Sequence, residues 1–76
     1  MNFSDALKAV KQGDKIYRSG WNGKNQFVIL LSEQISDLPG AYNIAKCLAL
    51  KNSQNIMQPG WVPSQGDLFA DDWQII

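Results

Sequence analysis

Residues 14–31, DKIYRSGWNGKNQFVILL, set the architecture of this 76-residue chain. DKIYR reads as a short strand, and NQFVILL carries a second, apolar from Phe27 to Leu31. Between them stands Asn22-Gly23, the strongest short hairpin signal, because both residues tolerate positive φ. Val28, Ile29, Leu30 and Leu31 leave no polar alternation, so both faces of the second strand are expected to be covered, by a helix and by a partner sheet or another subunit. Surface turns are ordinarily polar. Trp21 nevertheless sits directly beside this one, flanked by Arg18 and Lys24.

Upstream, NFSDALKAVKQG predicts a helix. Phe3, Ala6, Leu7 and Val10 fall at i, i+3, i+4 and i+7, with Lys8 and Lys11 off that stripe. Ser4 is the expected N-cap, Asp5 suits the positive end of the helix dipole, and Gly13 suits the position just past the C-cap. Downstream, residues 32–43 hold no persistent period and read as a loop with at most one helical turn, turned at Pro39-Gly40. AKCLALK and IMQPGW flank the polar NSQN and predict a hairpin whose second strand ends at Pro59-Gly60. SQGDLFA predicts a short helix with Ser64 as N-cap and Asp67 completing a capping box, and DWQII a closing strand. The expected class is α+β: an N-terminal helix on a small antiparallel sheet of about five strands, with a short helix before the last strand, forming one domain over residues 1–76.

Composition narrows the chemistry. Seven basic and seven acidic side chains give a net charge of zero, so no whole-chain field points to nucleic acid. The charges are nevertheless segregated. Residues 1–24 carry five basic against two acidic groups, and residues 59–76 carry Asp67, Asp71 and Asp72 with no basic group. Opposed ends suit self-association as well as ordinary solvated faces. Cys47 is the only cysteine, which excludes an internal disulfide and suits a reducing compartment. No stretch approaches the ~18 apolar residues of a membrane span, and the N-terminus has no signal-peptide pattern. The chain is expected to be cytoplasmic. A single core of this size supplies only about 3–5 kcal/mol, so oligomerisation is the expected stabiliser.

Catalysis is poorly provided for. The chain has no histidine, hence neither the commonest general base nor a histidine-based triad or metal site. One cysteine cannot build a zinc cluster, and GWNGKN lacks the spacing of a phosphate loop. Adjacent Asp71 and Asp72 would point to opposite faces of a strand. A hydrolase built on Ser64 or Asp67 is the residual catalytic option. No metal and no cofactor are expected.

The tryptophans are more informative. Trp73, followed by Ile75 in a terminal strand, reads as core. Trp21 and Trp61 each follow a glycine and stand near Asn, Gln or Ser, a combination that offers a π-face and hydrogen-bonding edges to a nucleobase. Arg18 and Lys24 suit phosphate oxygens, and equally suit solvated strand ends. Asn22 is explained as a turn residue; Gln65, in a helical first turn, is less readily explained.

With these residues in place the chain resembles a family of small phage and prophage proteins that includes the second type of Thoeris anti-defence sponge. The motifs that carry the resemblance are MNFSDALKAVKQG, RSGWNGK and PGWVPSQGDLFADDW, in that order, with residues 32–54 the least distinctive. The chain departs from the family pattern at Tyr17, where relatives often carry a second basic residue, and at Pro63, where a small residue is commoner. The resemblance implies a homo-oligomer, tetrameric in characterised relatives, that binds a nucleotide second messenger between subunits. That messenger is glycocyclic ADP-ribose, made from NAD by TIR-domain defence enzymes, with cyclic dinucleotides bound by some relatives. The messenger is held without cleavage. By position, Phe3, Trp21 and Trp61 become apolar walls around the base. Asn22, Ser64, Gln65 and Asp67 become polar contacts, with Arg18 facing phosphate. A different class of function also fits: a small oligomeric protein-interaction module with exposed tryptophans as interface anchors. Nucleic-acid binding fits less well, for want of a basic stripe.

Overall fold

Helix α1 (Phe3–Lys11) presents Ala6, Ala9 and Val10 as its buried stripe. It begins two residues earlier than a Ser4 cap would place it. Asn2 is the N-cap, in extended backbone, and its Oδ1 accepts the Asp5 N–H at 2.9 Å. The early start has a tertiary cause: the Met1 carbonyl accepts the Trp73 N–H at 3.1 Å, which anchors the chain just before Asn2. The other end behaves as expected. Gly13 adopts φ +100°, its N–H bonds to the Val10 carbonyl, and the Asp14 N–H reaches the Ala9 carbonyl. Those two bonds make a Schellman stop, which needs the left-handed backbone that glycine adopts without a Cβ penalty.

The computed structural model describes residues 1–32, 34–35, 42–43 and 45–76. After α1 come β1 (Ile16–Arg18), β2 (Phe27–Leu31), β3 (Gln34–Ile35), β4 (Tyr42–Asn43), β5 (Cys47–Lys51), β6 (Met57–Pro59), α2 (Gln65–Phe69) and β7 (Trp73–Ile75). Five strands form one antiparallel sheet in the order β6-β5-β2-β1-β7. The architecture is therefore α+β, with a short helix before the last strand. Where a loop was expected over residues 32–43, β3 and β4 pair as a two-stranded ladder, Gln34 with Asn43 and Ile35 with Tyr42; the expected Pro39-Gly40 turn lies outside the described residues. Two-residue strands are too short to show a period, which is why the pattern did not reveal them.

The hairpin signal at Asn22-Gly23 is overturned. Neither residue has positive φ; among the described residues between β1 and β2 only Asn25 does, at 60°. The connection is a long loop, residues 19–26, and β1 meets β2 at the single register pair Ile16–Val28. The cause is a competing partner. β7 pairs with all of β1, Ile16 with Ile75, Tyr17 with Gln74 and Arg18 with Trp73, and the Ser19 N–H continues onto the Asp72 carbonyl. The chain is drawn towards β7 and away from β2 before it can turn tightly.

Ala6, Ala9, Val10, Ile16, Val28 and Trp73 form the buried core between α1 and the sheet. Trp73 is fully buried, as its sequence context suggested. Phe3, Leu7, Trp21, Leu30, Leu48, Leu50, Trp61 and Ala70 pack around this core. Val28 shares the helix-covered face with Ile16, so Phe27, Ile29 and Leu31 alternate to the other face, where they are half-buried. Among the described residues no helix is long and apolar enough to cross a membrane.

Candidate functional site

Trp61 owes its position to the Pro59-Gly60 step. Gly60 adopts φ +80°, and the N–H groups of both Gly60 and Trp61 bond to the one Leu48 carbonyl, each at 2.9 Å. Two residues opposite one make a β-bulge with glycine in the left-handed conformation, a device that re-aims the next side chain. Trp61 is thereby turned over the sheet into contact with two other tryptophans. Its ring lies edge-on to Trp21 at 6.2 Å and to Trp73 at 6.3 Å, and Trp21 meets Trp73 at 5.4 Å. Phe3 packs on Trp73 at 5.4 Å. Edge-to-face rings at these separations are in direct contact. No slot is left between Trp21 and Trp61 for a third ring.

Asp67 is the polar centre of this aromatic cluster. Ser64 caps α2, its Oγ accepting the Asp67 N–H at 3.1 Å while Asp67 Oδ2 accepts the Ser64 N–H at 2.9 Å. The capping box predicted from SQGD is present. Asp67 Oδ1 accepts from Arg18 Nη1 at 2.9 Å and from the Trp21 indole Nε1 at 3.3 Å. Its backbone carbonyl accepts the Trp73 indole N–H at 2.9 Å. Burial favours the neutral acid, yet the bonds from the Ser64 backbone, Arg18, the Ser64 hydroxyl and Trp21 together hold the Asp67 carboxyl below the usual carboxylate range. Asp72 is likewise held low, chiefly by its bond to Arg18, against an opposing effect of burial and with help from the Gly20 N–H.

Arg18 therefore stands between two carboxylates, Nε on Asp72 at 2.8 Å and Nη1 on Asp67 at 2.9 Å. Its guanidinium pKa is raised, first by Asp72 and then by Asp67. The three groups sum to one negative charge, so a phosphate arriving at Arg18 meets two anions alongside the cation. Sequence reasoning missed this double pairing because Arg18 and Asp72 are far apart in the chain, although β1 and β7 bring them together.

Two clefts adjoin Trp21 and share Gly23 and Gln26. One, of about 240 Å³, is lined by Trp21, Asn22, Gly23, Gln26, Leu50, Trp61 and Asp67. The other, of about 380 Å³, takes in Tyr17, Arg18, Asn25, Gln26 and Ile76 beside Trp21. Four of the residues selected from the sequence, Trp21, Asn22, Trp61 and Asp67, thus line a single cleft although they come from distant segments. Arg18 lines its neighbour. Phe3 is drawn into the core packing against Trp73, Ser64 serves as a cap, and Gln65 is exposed on the first turn of α2; none of the three lines either cleft. Gln26 and Leu50 join the cleft without any local signal, Gln26 through the long loop and Leu50 through the β2–β5 ladder, where it pairs with Val28.

A family model described as the Thoeris anti-defense 2-like domain matches residues 1–76. A protein of Bacillus phage SP01 named Thoeris anti-defense 2 is 39% identical over 85 residues, an alignment that takes in 100% of this chain and 94% of that protein.

Proposed function

The chain belongs to the Thoeris anti-defense 2-like family, and we propose that it opposes Thoeris defence by sequestering a nucleotide second messenger without cleaving it. The messenger on this reading is glycocyclic ADP-ribose from TIR-domain enzymes, with a cyclic dinucleotide as a further ligand of the same class. The protein acts in the cytoplasm of the host cell as a homo-oligomer, a tetramer by resemblance to its relatives.

The observation that carries this reading is the convergence of Trp21, Asn22, Gln26, Trp61 and Asp67 on one cleft. An aromatic face beside amide donors and acceptors and a carboxylate is what a base and its ribose require: stacking for the ring, hydrogen bonds for its edge and for the sugar hydroxyls. The cleft's volume of about 240 Å³ lies below the ~300–1,000 Å³ typical of small-molecule sites. One chain is thus sized for a nucleoside portion, and a second copy would enclose the remainder. Self-association is further supported by Phe27, Ile29 and Leu31 on the sheet face away from α1. Binding in preference to turnover is supported by the pairing of both nearby carboxylates, Asp67 and Asp72, with Arg18.

The interaction-module reading keeps one observation in its favour. Val62 and Phe69 are each 80% exposed, and large exposed apolar groups suit a protein partner. Trp21 and Trp61 favour it less, since both are half-buried against Trp73 instead of projecting as anchors.

Native mass spectrometry of the protein purified from cells with an active TIR-domain defence system tests the proposal. An oligomer retaining a nucleotide mass, released intact on heating, is expected. A ligand-free monomer, or a retained protein partner in place of a nucleotide, contradicts it.

A further inference from the structure

Loop 19–26 carries Trp21 and Asn22 into the cleft, and its first residues are held by one carboxylate. Asp72 accepts the Gly20 N–H on Oδ2 at 2.8 Å and Arg18 Nε on Oδ1 at 2.8 Å, while its backbone carbonyl accepts the Ser19 N–H at 3.1 Å. Arg18 then reaches Asp67, the residue to which the Trp21 indole donates, and the Arg18 carbonyl accepts the Trp21 N–H at 3.1 Å. The Trp21 ring is thus fixed at both ends, its backbone through Arg18 and its indole nitrogen through Asp67. Gly20 fits this arrangement closely: a Cβ there would stand 2.7 Å from Asp72 Oδ2 and displace the carboxylate.

Resting on the nucleotide reading of the cleft, we propose that Arg18 and Asp72 are positioning residues: they clasp the base of loop 19–26 and set the Trp21 ring, and the charge of Arg18 is spent on this clasp and not on ligand phosphate. The cleft then selects its ligand by base and sugar. A guanidinium already shared by two carboxylates at 2.8 and 2.9 Å has little net attraction left for an anion, whereas its planar fork suits holding two acceptors at fixed angles. Lysine in its place keeps the charge and loses the fork.

The two roles predict opposite results. Adenosine and glycocyclic ADP-ribose are titrated into the parent and into Arg18→Lys, Asp72→Asn and Gly20→Ala at low and high salt, with circular dichroism confirming that each variant is folded. Gly20→Ala alters no charge and keeps the test independent of electrostatics. The clasp predicts that all three variants weaken both ligands by about the same factor, roughly tenfold, the order of one lost positioning hydrogen bond, with unchanged salt dependence. A phosphate ligand at Arg18 predicts instead that Arg18→Lys largely keeps the affinity for glycocyclic ADP-ribose, that Asp72→Asn tightens it, and that adenosine is indifferent; that pattern overturns the proposal. Hydrogen exchange at the Trp21 indole, measured without ligand, separates this inference from the nucleotide reading itself. Its protection should fall in Gly20→Ala and Asp72→Asn while that of the Trp73 indole is retained. Unchanged Trp21 protection overturns the clasp even if no nucleotide binds.

Discussion

Replacing Asp67 by asparagine changes almost no volume and removes one charge, at a side chain that is only 11% exposed. The carboxylate accepts from Arg18 and Trp21 on one oxygen and from the Ser64 N–H on the other. An amide has one oxygen. Turned towards Arg18, it sets its NH2 against the Ser64 N–H and forfeits the reciprocal cap bond, about 1 kcal/mol. The bond to Arg18 survives without its ionic partner, a further ~1 kcal/mol or slightly more, since charged hydrogen bonds exceed neutral ones by about that amount. Asp67→Asn should therefore cost about 2–3 kcal/mol near neutral pH, which for a domain of this size corresponds to a melting temperature lower by roughly 10–20 °C. Acid should mimic the substitution. The Asp67 carboxyl is depressed in the folded state, so its contribution is fully present above the unfolded value of about 3.9 and is lost as pH falls through the folded value. Urea unfolding followed by circular dichroism at pH 7 and pH 3 measures both effects. The parent should weaken in acid more than Asp67→Asn, which retains the pH dependence belonging to Asp72. A variant as stable as the parent at pH 7, or an equal acid loss in both, would refute the assignment of Asp67 as the polar centre.

Trp73→Ala should cost about 3–5 kcal/mol, since the ring is fully buried and packs on Phe3, Trp21 and Trp61; against the ~3–5 kcal/mol a single small core supplies, the isolated chain should lose its cooperative melting transition. Trp61→Ala should leave a folded protein whose affinity for glycocyclic ADP-ribose falls by about 1–3 kcal/mol, roughly 5- to 150-fold, read by titration beside a melting curve. Light scattering at micromolar concentration should return an oligomer, and a monomer would remove the intersubunit part of the site.

Local features were legible where one segment decides them. The stripe Phe3, Ala6, Leu7 and Val10 located α1, Ser64 and Asp67 announced the cap of α2, and the polar NSQN between apolar runs placed the β5–β6 hairpin. In that hairpin the Asn52 side chain accepts the N–H groups of Gln54 and Ile56. What escaped was decided across the chain. Asn22-Gly23 has the composition of a tight turn, yet Asp72 claims the backbone just before it, and no local pattern announces a contact across 52 residues. The same distance hid the true partners of Arg18, whose sequence neighbours suggested a free cation. Asn2 outcompeted Ser4 as a cap because Met1 is tied to Trp73. In the cleft, Trp21 and Trp61 were singled out by their residue types and settings, and Asn22 and Asp67 by their place in the family motifs, whereas Gln26 and Leu50 arrive through loop path and strand register alone.

Calorimetric titration of the purified parent protein with glycocyclic ADP-ribose tests the central claim most directly. Sequestration of a scarce messenger calls for saturable binding with a Kd in the nanomolar range, about −12 kcal/mol, and for recovery of the ligand chemically unchanged after denaturation of the complex. Absence of binding heat at micromolar protein, or steady conversion of the ligand in proportion to protein concentration, would contradict it.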